Sequence, residues 1–446
     1  MFDIARDLTS LAENAAPIRI AVIGCGKFAA MFLAQVPRTP GLHVVAIADL
    51  DINRARKALN TIGWPAEKYA AASADTALRT VGTWITDDAQ AAIEAPGVDV
   101  VVEATGNPIA GTEHALMAIA AGRHVVMVNV EADVLCGPAL SARAARAGVS
   151  TSYAYGDQPA LIVEMIDWAA TIGMPVVCAG KGTLHQAAFH DSTPETVWGH
   201  YGLTPERATA SGMNPKMFNS FLDGTKSAIE MAAVANASTL AAPSDGLKFP
   251  AVGTGQLQDK LIPRNAGGLL DSAGSLEVVS SRDDTGNDIP DGLRWGVYVT
   301  FEAPDAYVES CFSDYGLQTD PTGRFAALWR PYHLIGLELG VSVARLGLLG
   351  RPTGQATRFA ADVVCVAKRD LAVGDLLDGE GGGTVWGAVI PAVRSLAMQA
   401  LPIGFSDHAK LIRSVKKGAI VSRNDVILAN NFGRVLAVRE EAEAMI

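Results

Sequence analysis

IRIAVIGCGKFAAMFLAQVPRTPGLHVVAIAD, residues 18–49, decides the fold. An apolar run, Ile18–Ile23, breaks into Gly24-Cys25-Gly26-Lys27-Phe28-Ala29, a G-x-G-x-x-A turn, and a helical pattern follows at once. A second apolar run, residues 43–48, ends in Asp49. Gly24 allows the tight turn and Gly26 lets the backbone approach a pyrophosphate. Ala29 lets the helix pack closely on the strand, with the helix N-terminus facing the phosphates. Lys27 and Phe28 lie in the same turn and complete the set expected to touch a nucleotide. Strand, turn, helix, second strand and terminal acid come in the order such a site requires. Residues 18–49 therefore predict a nicotinamide-dinucleotide cofactor.

The alternation continues outward from this unit. Strand signals recur at residues 98–103, 124–129 and 149–153, and helix signals at 53–61, 110–121 and 138–146, the last with Pro138 in its first turn. Such alternation predicts a parallel sheet covered by helices on both faces, an N-terminal Rossmann domain over residues 1–157. Beyond it, a helix over 160–171 leads into a strand over 175–180. A long helix over 215–237 follows, then strands over 275–280 and 293–303 that flank the polar insert RDDTGNDIPDG. This reads as a mixed α/β catalytic and dimerisation domain, 158–350. A helix over 333–348 has an apolar stripe suited to folding back on the nucleotide domain. After Arg351-Pro352, short apolar runs alternate with glycine-rich turns, which predicts a small β-rich domain over 351–446.

Composition narrows the function. A 446-residue chain that is 49% hydrophobic, without low-complexity blocks, is long enough for two or three well-buried domains. Its net charge of −11 argues against a nucleic-acid partner. No run approaches the roughly 18 uninterrupted apolar residues of a membrane span. The N-terminal MFDIARDLTSLAEN reads as a short amphipathic helix rather than a signal peptide. The five cysteines show no C-x-x-C pairing and read as reduced residues of a cytoplasmic protein.

Several clusters could carry chemistry. Thr105, Gly106 and Asn107 follow the strand signal at 98–103, where loops at strand carboxyl ends line the ligand crevice, so they should border the nicotinamide or form a plain turn before Pro108. Asn129 and Glu131 stand in the same place one strand later, with Glu131 able to meet substrate or cap a helix. Asp49 is the carboxylate expected for the ribose 2′-hydroxyl of NAD, whereas Arg54, Arg56 and Lys57 could bind the 2′-phosphate of NADP. The two readings stay open here.

The segment NPKMFNSFLDGTKSAIEMAAVANA, residues 214–237, offers a catalytic surface. At helical spacing, Lys216, Ser220, Asp223, Lys226 and Glu230 form one polar stripe opposite an apolar one. Beyond Glu230 the helix is apolar nearly all round, which predicts a buried helix whose polar patch faces a cleft. Lys226 precedes Glu230, the less favourable order for a helix ion pair, so surface stability explains the pair poorly. Lys181, between Gly180 and Gly182 at a strand end, suits an anionic group, as does Arg330; His333 could hydrogen-bond substrate or serve in the core. His185, His190 and Asp191 match no metal-ligand spacing.

Together, GCGKFAA, VVVEATGNP, AYGDQPA, AGKGT, SFLDGTKSAIEM and WRPYHLIGLELG resemble the DXR-like (DRL) family, oxidoreductases similar to 1-deoxy-D-xylulose 5-phosphate reductoisomerase and distantly related to homoserine dehydrogenases. AKRDLAVGDLLDG and LIRSVKKGAIVSRNDV resemble a SAF domain, a small β-clip module. The resemblance implies a homodimer that uses NADPH, with NADH as the second choice. It would convert 1-deoxy-D-xylulose 5-phosphate to 2-C-methyl-D-erythritol 4-phosphate, an isoprenoid precursor, and be inhibited by fosmidomycin. That chemistry needs cations for the phosphate, an acid/base group and hydride delivery. Lys181, Lys226, Arg330 and His333 can supply the first, with Lys216, Asn107 and Glu131 also placed to meet substrate; Asp223, Lys226 or Glu230 can supply the second. The chain lacks the Pro-Val-Asp-Ser-Glu metal stretch of typical reductoisomerases, which leaves a divalent ion open. Its Asp223 and Lys226 are three residues apart, where homoserine dehydrogenases space the pair by four. A homoserine-dehydrogenase-like or sugar/polyol dehydrogenase is the competing enzyme, and a nucleotide-sensing regulator the competing class.

Overall fold

A computed structural model describes residues 3–429 and 432–446. The chain forms two compact units. The first takes Met1–Leu161, Leu334–Thr357 and Arg434–Met445, and the second takes Ile162–His333 and Arg358–Gly433. The segment 351–446 is thus divided between them.

The first unit is built on six strands: β1 (Ile18–Ile23), β2 (Leu42–Ala48), β3 (Trp84–Thr86), β4 (Val100–Glu103), β5 (His124–Met127) and β6 (Thr151–Tyr153). All pairs are parallel and the order is β3-β2-β1-β4-β5-β6, the doubly wound arrangement the alternation predicts. These strands are near-continuous Val, Ile and Ala because helices cover both faces. The N-terminal pattern forms helix Ile4–Glu13, with Met1 and Phe2 outside the described residues. No helix among the described residues is long and apolar enough to cross a membrane.

Two expected helices start elsewhere. The helix placed at 138–146 begins eight residues earlier, as Val130–Arg146, because the Asn129 side chain caps it by accepting from the Ala132 N–H; Pro138 is interior. The helix placed at 333–348 is Gly340–Leu349. The chain before it crosses the β1 turn so closely that a Cβ at Gly336 would lie 2.7 Å from the Phe28 carbonyl oxygen, and this approach holds it in an irregular path. Gly340–Leu349 packs against β1, β4, β5 and β6, and helix Val435–Glu443 packs against Val130–Arg146 through the fully buried Arg439.

In the second unit, β7 (Val176–Thr183), β8 (Ser275–Ser280), β9 (Val297–Glu302) and β10 (Phe325–Arg330) form a mixed sheet in the order β10-β9-β7-β8. Only β7 and β8 run parallel. The glycine-rich tail forms small antiparallel pairs, β11 (Ala361–Ala367) with β12 (Val385–Pro391) and β13 (Lys410–Leu411) with β14 (Val426–Ile427). Helix Thr225–Ala237 packs on β8, β11 and β12, so this tail is integral to the unit. The single helix expected over 215–237 is instead two, Pro215–Leu222 and Thr225–Ala237. They break at Gly224, whose φ of 92° suits a residue without a Cβ.

One buried acid makes the first unit sensitive to pH. Asp133, in helix Val130–Arg146, is 3% exposed, and its Oδ1 has no partner among the described residues. Burial pushes its carboxyl up to about 7, against the pull of the Tyr153 hydroxyl. The folded state therefore holds this proton where the unfolded chain has released it. The resulting stability is fully present below the unfolded value near 4 and is lost as pH rises toward 7, a change of ~4 kcal/mol. Asp133→Asn should flatten that decline, and urea unfolding of both proteins between pH 4 and 8 is the check.

Candidate functional site

Strand order reverses between β1 and β4, and the loops at their carboxyl ends frame the crevice where doubly wound folds hold ligands. Gly24 turns the chain with φ 89°, and a Cβ there would stand 2.8 Å from the Ala104 carbonyl oxygen. Gly26 is different: its φ is −79° and a Cβ would meet nothing within 4 Å. The turn is open to solvent at this point. Helix Lys27–Gln35 starts at Gly26 with no side-chain cap, so its first N–H groups are available to an anion. Lys27 is exposed, Phe28 half-buried and Ala29 fully buried against the core. This cradle fits a pyrophosphate.

Asp49, at the end of β2, is 4% exposed. Its Oδ2 accepts from the Cys25 N–H at 2.8 Å and its Oδ1 from the Asp51 N–H at 2.9 Å, while Arg54 Nη2 donates to both oxygens at 2.7 and 2.9 Å. Burial alone would raise its carboxyl, but Arg54 and the two backbone donors outweigh that and hold it below the usual range. Cys25 itself is buried, and burial beside Asp49 pushes its thiol up to about 11.

The loops after β4 and β5 are tied to each other. Asn107 caps helix Pro108–Ala120 through the Ile109 and Ala110 N–H groups. Asn129 donates from Nδ2 to the Asn107 carbonyl at 2.8 Å, and Glu131 sits half-buried in the first turn of helix Val130–Arg146. Thr105 Oγ1 donates to Glu103 Oε1 at 2.5 Å, and Gly106 carries the chain on to Asn107 with φ 70°. Asn107 and Asn129 thus hold the crevice wall as caps. Sequence reasoning passed over Glu103, fully buried with His114 Nδ1 at 3.2 Å from its carboxylate and Oε2 without a partner among the described residues. Its signal was an acid ending an apolar strand, the pattern that marked Asp49.

The expected polar stripe does not survive as one surface, because the break at Gly224 turns its two halves apart in register. Lys216 Nζ donates to the Asp378 carbonyl at 2.6 Å, and Ser220 Oγ to Glu380 at 2.5 Å. Asp223 is fully buried: one oxygen accepts from the Thr225 N–H at 2.9 Å and the other from Lys368 Nζ at 2.7 Å. Lys368 gives further hydrogen bonds, 2.7 Å each, to the Ser192 and Gly382 carbonyls. The apolar run does mark burial near Glu230, but exposed Lys216 and buried Ser220 are engaged by the tail's loop 378–384, and Asp223 by Lys368. Asp223 is a counter-ion with both oxygens engaged rather than a free acid or base. Lys368 is the residue sequence reasoning missed, since nothing local to AKRDL marks a buried lysine.

Lys181 and Glu230 do meet. Lys181 on β7 donates to Glu230 Oε2, with both side chains less than a tenth exposed. Lys226 lies half-buried four residues before Glu230 in the same helix. Arg330 ends β10 half-buried, and His333 Nδ1 meets the Trp295 carbonyl oxygen at 2.7 Å. His185 stacks on Phe249 at 3.9 Å between ring centres and burial drives its pKa down to about 3, so it stays neutral. Among the described residues no group of three or more His, Cys, Asp or Glu stands ready to hold a metal ion. The divalent ion left open by the sequence finds no such donor set among the described residues.

Residues 156–339 match the model of the oxidoreductase DRL catalytic domain, and residues 18–127 that of an oxidoreductase family with an NAD-binding Rossmann fold. Both are oxidoreductase segments. The first unit thus has the parallel sheet of a Rossmann domain, and residues 156–339 are similar to a DRL catalytic domain. A search of curated proteins finds no match. Solved structures similar in part include an NAD binding oxidoreductase from Klebsiella pneumoniae (22% identity over 40% of this chain and 45% of that one, TM-score 0.26). Others are a homoserine dehydrogenase from Thiobacillus denitrificans (18%, 50% and 49%, 0.35) and a myo-inositol dehydrogenase from Lactobacillus casei (16%, 41% and 50%, 0.27). The chain spans less than half the length of the two Klebsiella oxidoreductases it matches, 43% and 45%.

Two outcomes follow from this geometry. Gly26→Val should abolish nicotinamide-dinucleotide binding in calorimetric titration without loss of thermal stability, because the new side chain would meet no protein atom yet would block approach of a pyrophosphate. Lys368→Met should cost about 3–5 kcal/mol in urea unfolding by stranding the Asp223 charge, and adding Asp223→Leu should recover much of it.

Proposed function

We propose that the chain is an NADPH-dependent reductoisomerase that converts 1-deoxy-D-xylulose 5-phosphate to 2-C-methyl-D-erythritol 4-phosphate, a step toward isoprenoid precursors (the MEP pathway). The observation that carries this reading is the Lys181–Glu230 pair, a buried cation and carboxylate inside the segment that matches a DRL catalytic domain. A skeletal rearrangement of a phosphorylated ketose needs a proton acceptor and donor shielded from water, with fixed positive charge for the phosphate and developing oxyanions. Glu230, held by Lys181, suits the first need. Lys226 and Arg330 suit the second, and His333 can add a hydrogen bond. A nicotinamide cofactor held at the Gly24–Gly26 turn would supply the hydride needed to reduce an aldehyde. In this reading the enzyme is a cytoplasmic homodimer inhibited by fosmidomycin, and light scattering should give about twice 46.5 kDa.

The test is NADPH oxidation with 1-deoxy-D-xylulose 5-phosphate, homoserine and a panel of aldoses as competing substrates. The first should be turned over, and Lys226→Met should cut that turnover by at least about 10²-fold while leaving NADPH binding intact, the scale expected for losing one transition-state group. Turnover of homoserine or an aldose alone would replace the reductoisomerase with a dehydrogenase. Nucleotide binding without turnover of any of them would favour a sensor.

A further inference from the structure

Hydrogen bonding explains the place of Glu103 but not its charge. Glu103 closes β4 where the strand order reverses, and it lies beside the turn that fits a pyrophosphate. It is the register partner of Ile23, and the next N–H, that of Ala104, donates to the Ile23 carbonyl at 2.8 Å. A Cβ on Gly24 would stand 2.8 Å from the Ala104 carbonyl oxygen. The Glu103 side chain is fully buried. Its Oε1 accepts from the Thr105 hydroxyl at 2.5 Å and the Thr105 N–H at 3.3 Å, with His114 Nδ1 at 3.2 Å, whereas Oε2 has no partner among the described residues. A Cβ on Gly111 would lie 3.0 Å from Oε2, so the helix backbone crowds this second oxygen. The amide oxygen of a glutamine would accept the same hydrogen bonds without the cost of desolvating a carboxylate. Stiffening the loop after β4 therefore needs the acceptor and not the negative charge.

The charge has a use in the crevice. A nicotinamide ring is a cation when oxidised and neutral when reduced, so a fixed carboxylate buried near it favours the oxidised form, and exclusion of water strengthens the effect. The loop 105–107, which Glu103 holds through Thr105, is the part of the first unit expected to border that ring. We infer that Glu103 is an electrostatic element of the cofactor site, one that tightens the hold on the oxidised nicotinamide and so makes the bound reduced cofactor a stronger hydride donor. The two effects are one by linkage: whatever binds the oxidised form more tightly lowers the potential of the bound couple. Glu103 acts on the ring through space and touches no reacting atom. This role rests on the nicotinamide reading of the Gly24–Ala29 turn and not on the substrate. It also gives the buried acid a direction, since reduction of an aldehyde is the half of the proposed reaction that a stronger hydride donor favours.

Calorimetric titration of the full chain with NADP+ and with NADPH, in the absence of substrate, measures the ratio of the two dissociation constants. Glu103→Gln should move that ratio toward NADPH by at least about fivefold, the scale of one partly screened charge. His114→Lys leaves Glu103 in place but sets a permanent cation beside it, and should move the ratio in the same direction. This variant decides the matter if Glu103→Gln does not fold, because His114 is partly exposed. His114→Asn keeps a donor for Oε1 without a basic group, and its ratio should stay at the wild-type value or move toward NADP+. A purely structural role would weaken both nucleotides together and leave the ratio where it was. An unchanged ratio in Glu103→Gln and His114→Lys, or a move toward NADPH in His114→Asn, would overturn the inference while leaving the cofactor reading intact. A wild-type protein that binds neither nucleotide would overturn both.

Discussion

The second unit is organised around a charge pair that water does not reach. Asp223 and Lys368 are 0% and 2% exposed at their side chains, and neither charge could remain there alone. The lysine's three donors take Asp223, Ser192 and Gly382, three distant points of the chain, so one ammonium fixes the break between the two helices to the loop after β11. Such a pair adds little net stability over a well-packed apolar alternative, yet losing one partner is costly. Its effect is to specify which segments meet. Asn219 reinforces it by donating to the Ser192 and Gly381 carbonyls.

That constraint explains the fate of the polar residues between Lys216 and Glu230. Lys216 and Ser220 bond to the loop 378–384 and Asp223 to Lys368, so the first half of the stripe is tied to the tail, and only Lys226 and Glu230 remain in the continuous second helix. Lys181 then reaches Glu230 from β7, which is central in its sheet. The two buried pairs differ in use. Lys368 has all its donors satisfied by protein atoms and its partner's oxygens are both engaged, which leaves no site for a substrate. Lys181 and Glu230 form the simpler pair, and that is why the proposed chemistry is placed on them.

In the first unit the comparable device is Asp49. A carboxylate buried at a strand end must collect donors, and it takes them from the turn that would hold the pyrophosphate and from Arg54. The cofactor turn and the helix after β2 are thereby linked through one side chain. Glu103 repeats the arrangement at the end of β4 with Thr105 and His114, so both strand ends carry a buried acid that stiffens the loop beyond it.

The sequence by itself determined the nucleotide-binding half. The strand signals, the G-x-G-x-x-A turn and the terminal acid are each written in short stretches of chain, where periodicity and glycine placement are direct physical instructions, and the alternation of strand with helix implies the parallel order. It also singled out Lys181 and Glu230 as candidates, though not as partners. Tertiary structure decided the rest. Whether residues 215–237 form one helix or two depended on Gly224 and the rings packed over it, not on helical periodicity. The burial of Asp223 depended on a lysine 145 residues away. The neutralisation of Asp49 depended on which way the Arg54 side chain turned. A buried charge is defined by what desolvates and pairs with it, and in this chain those partners come from segments that local sequence pattern does not connect.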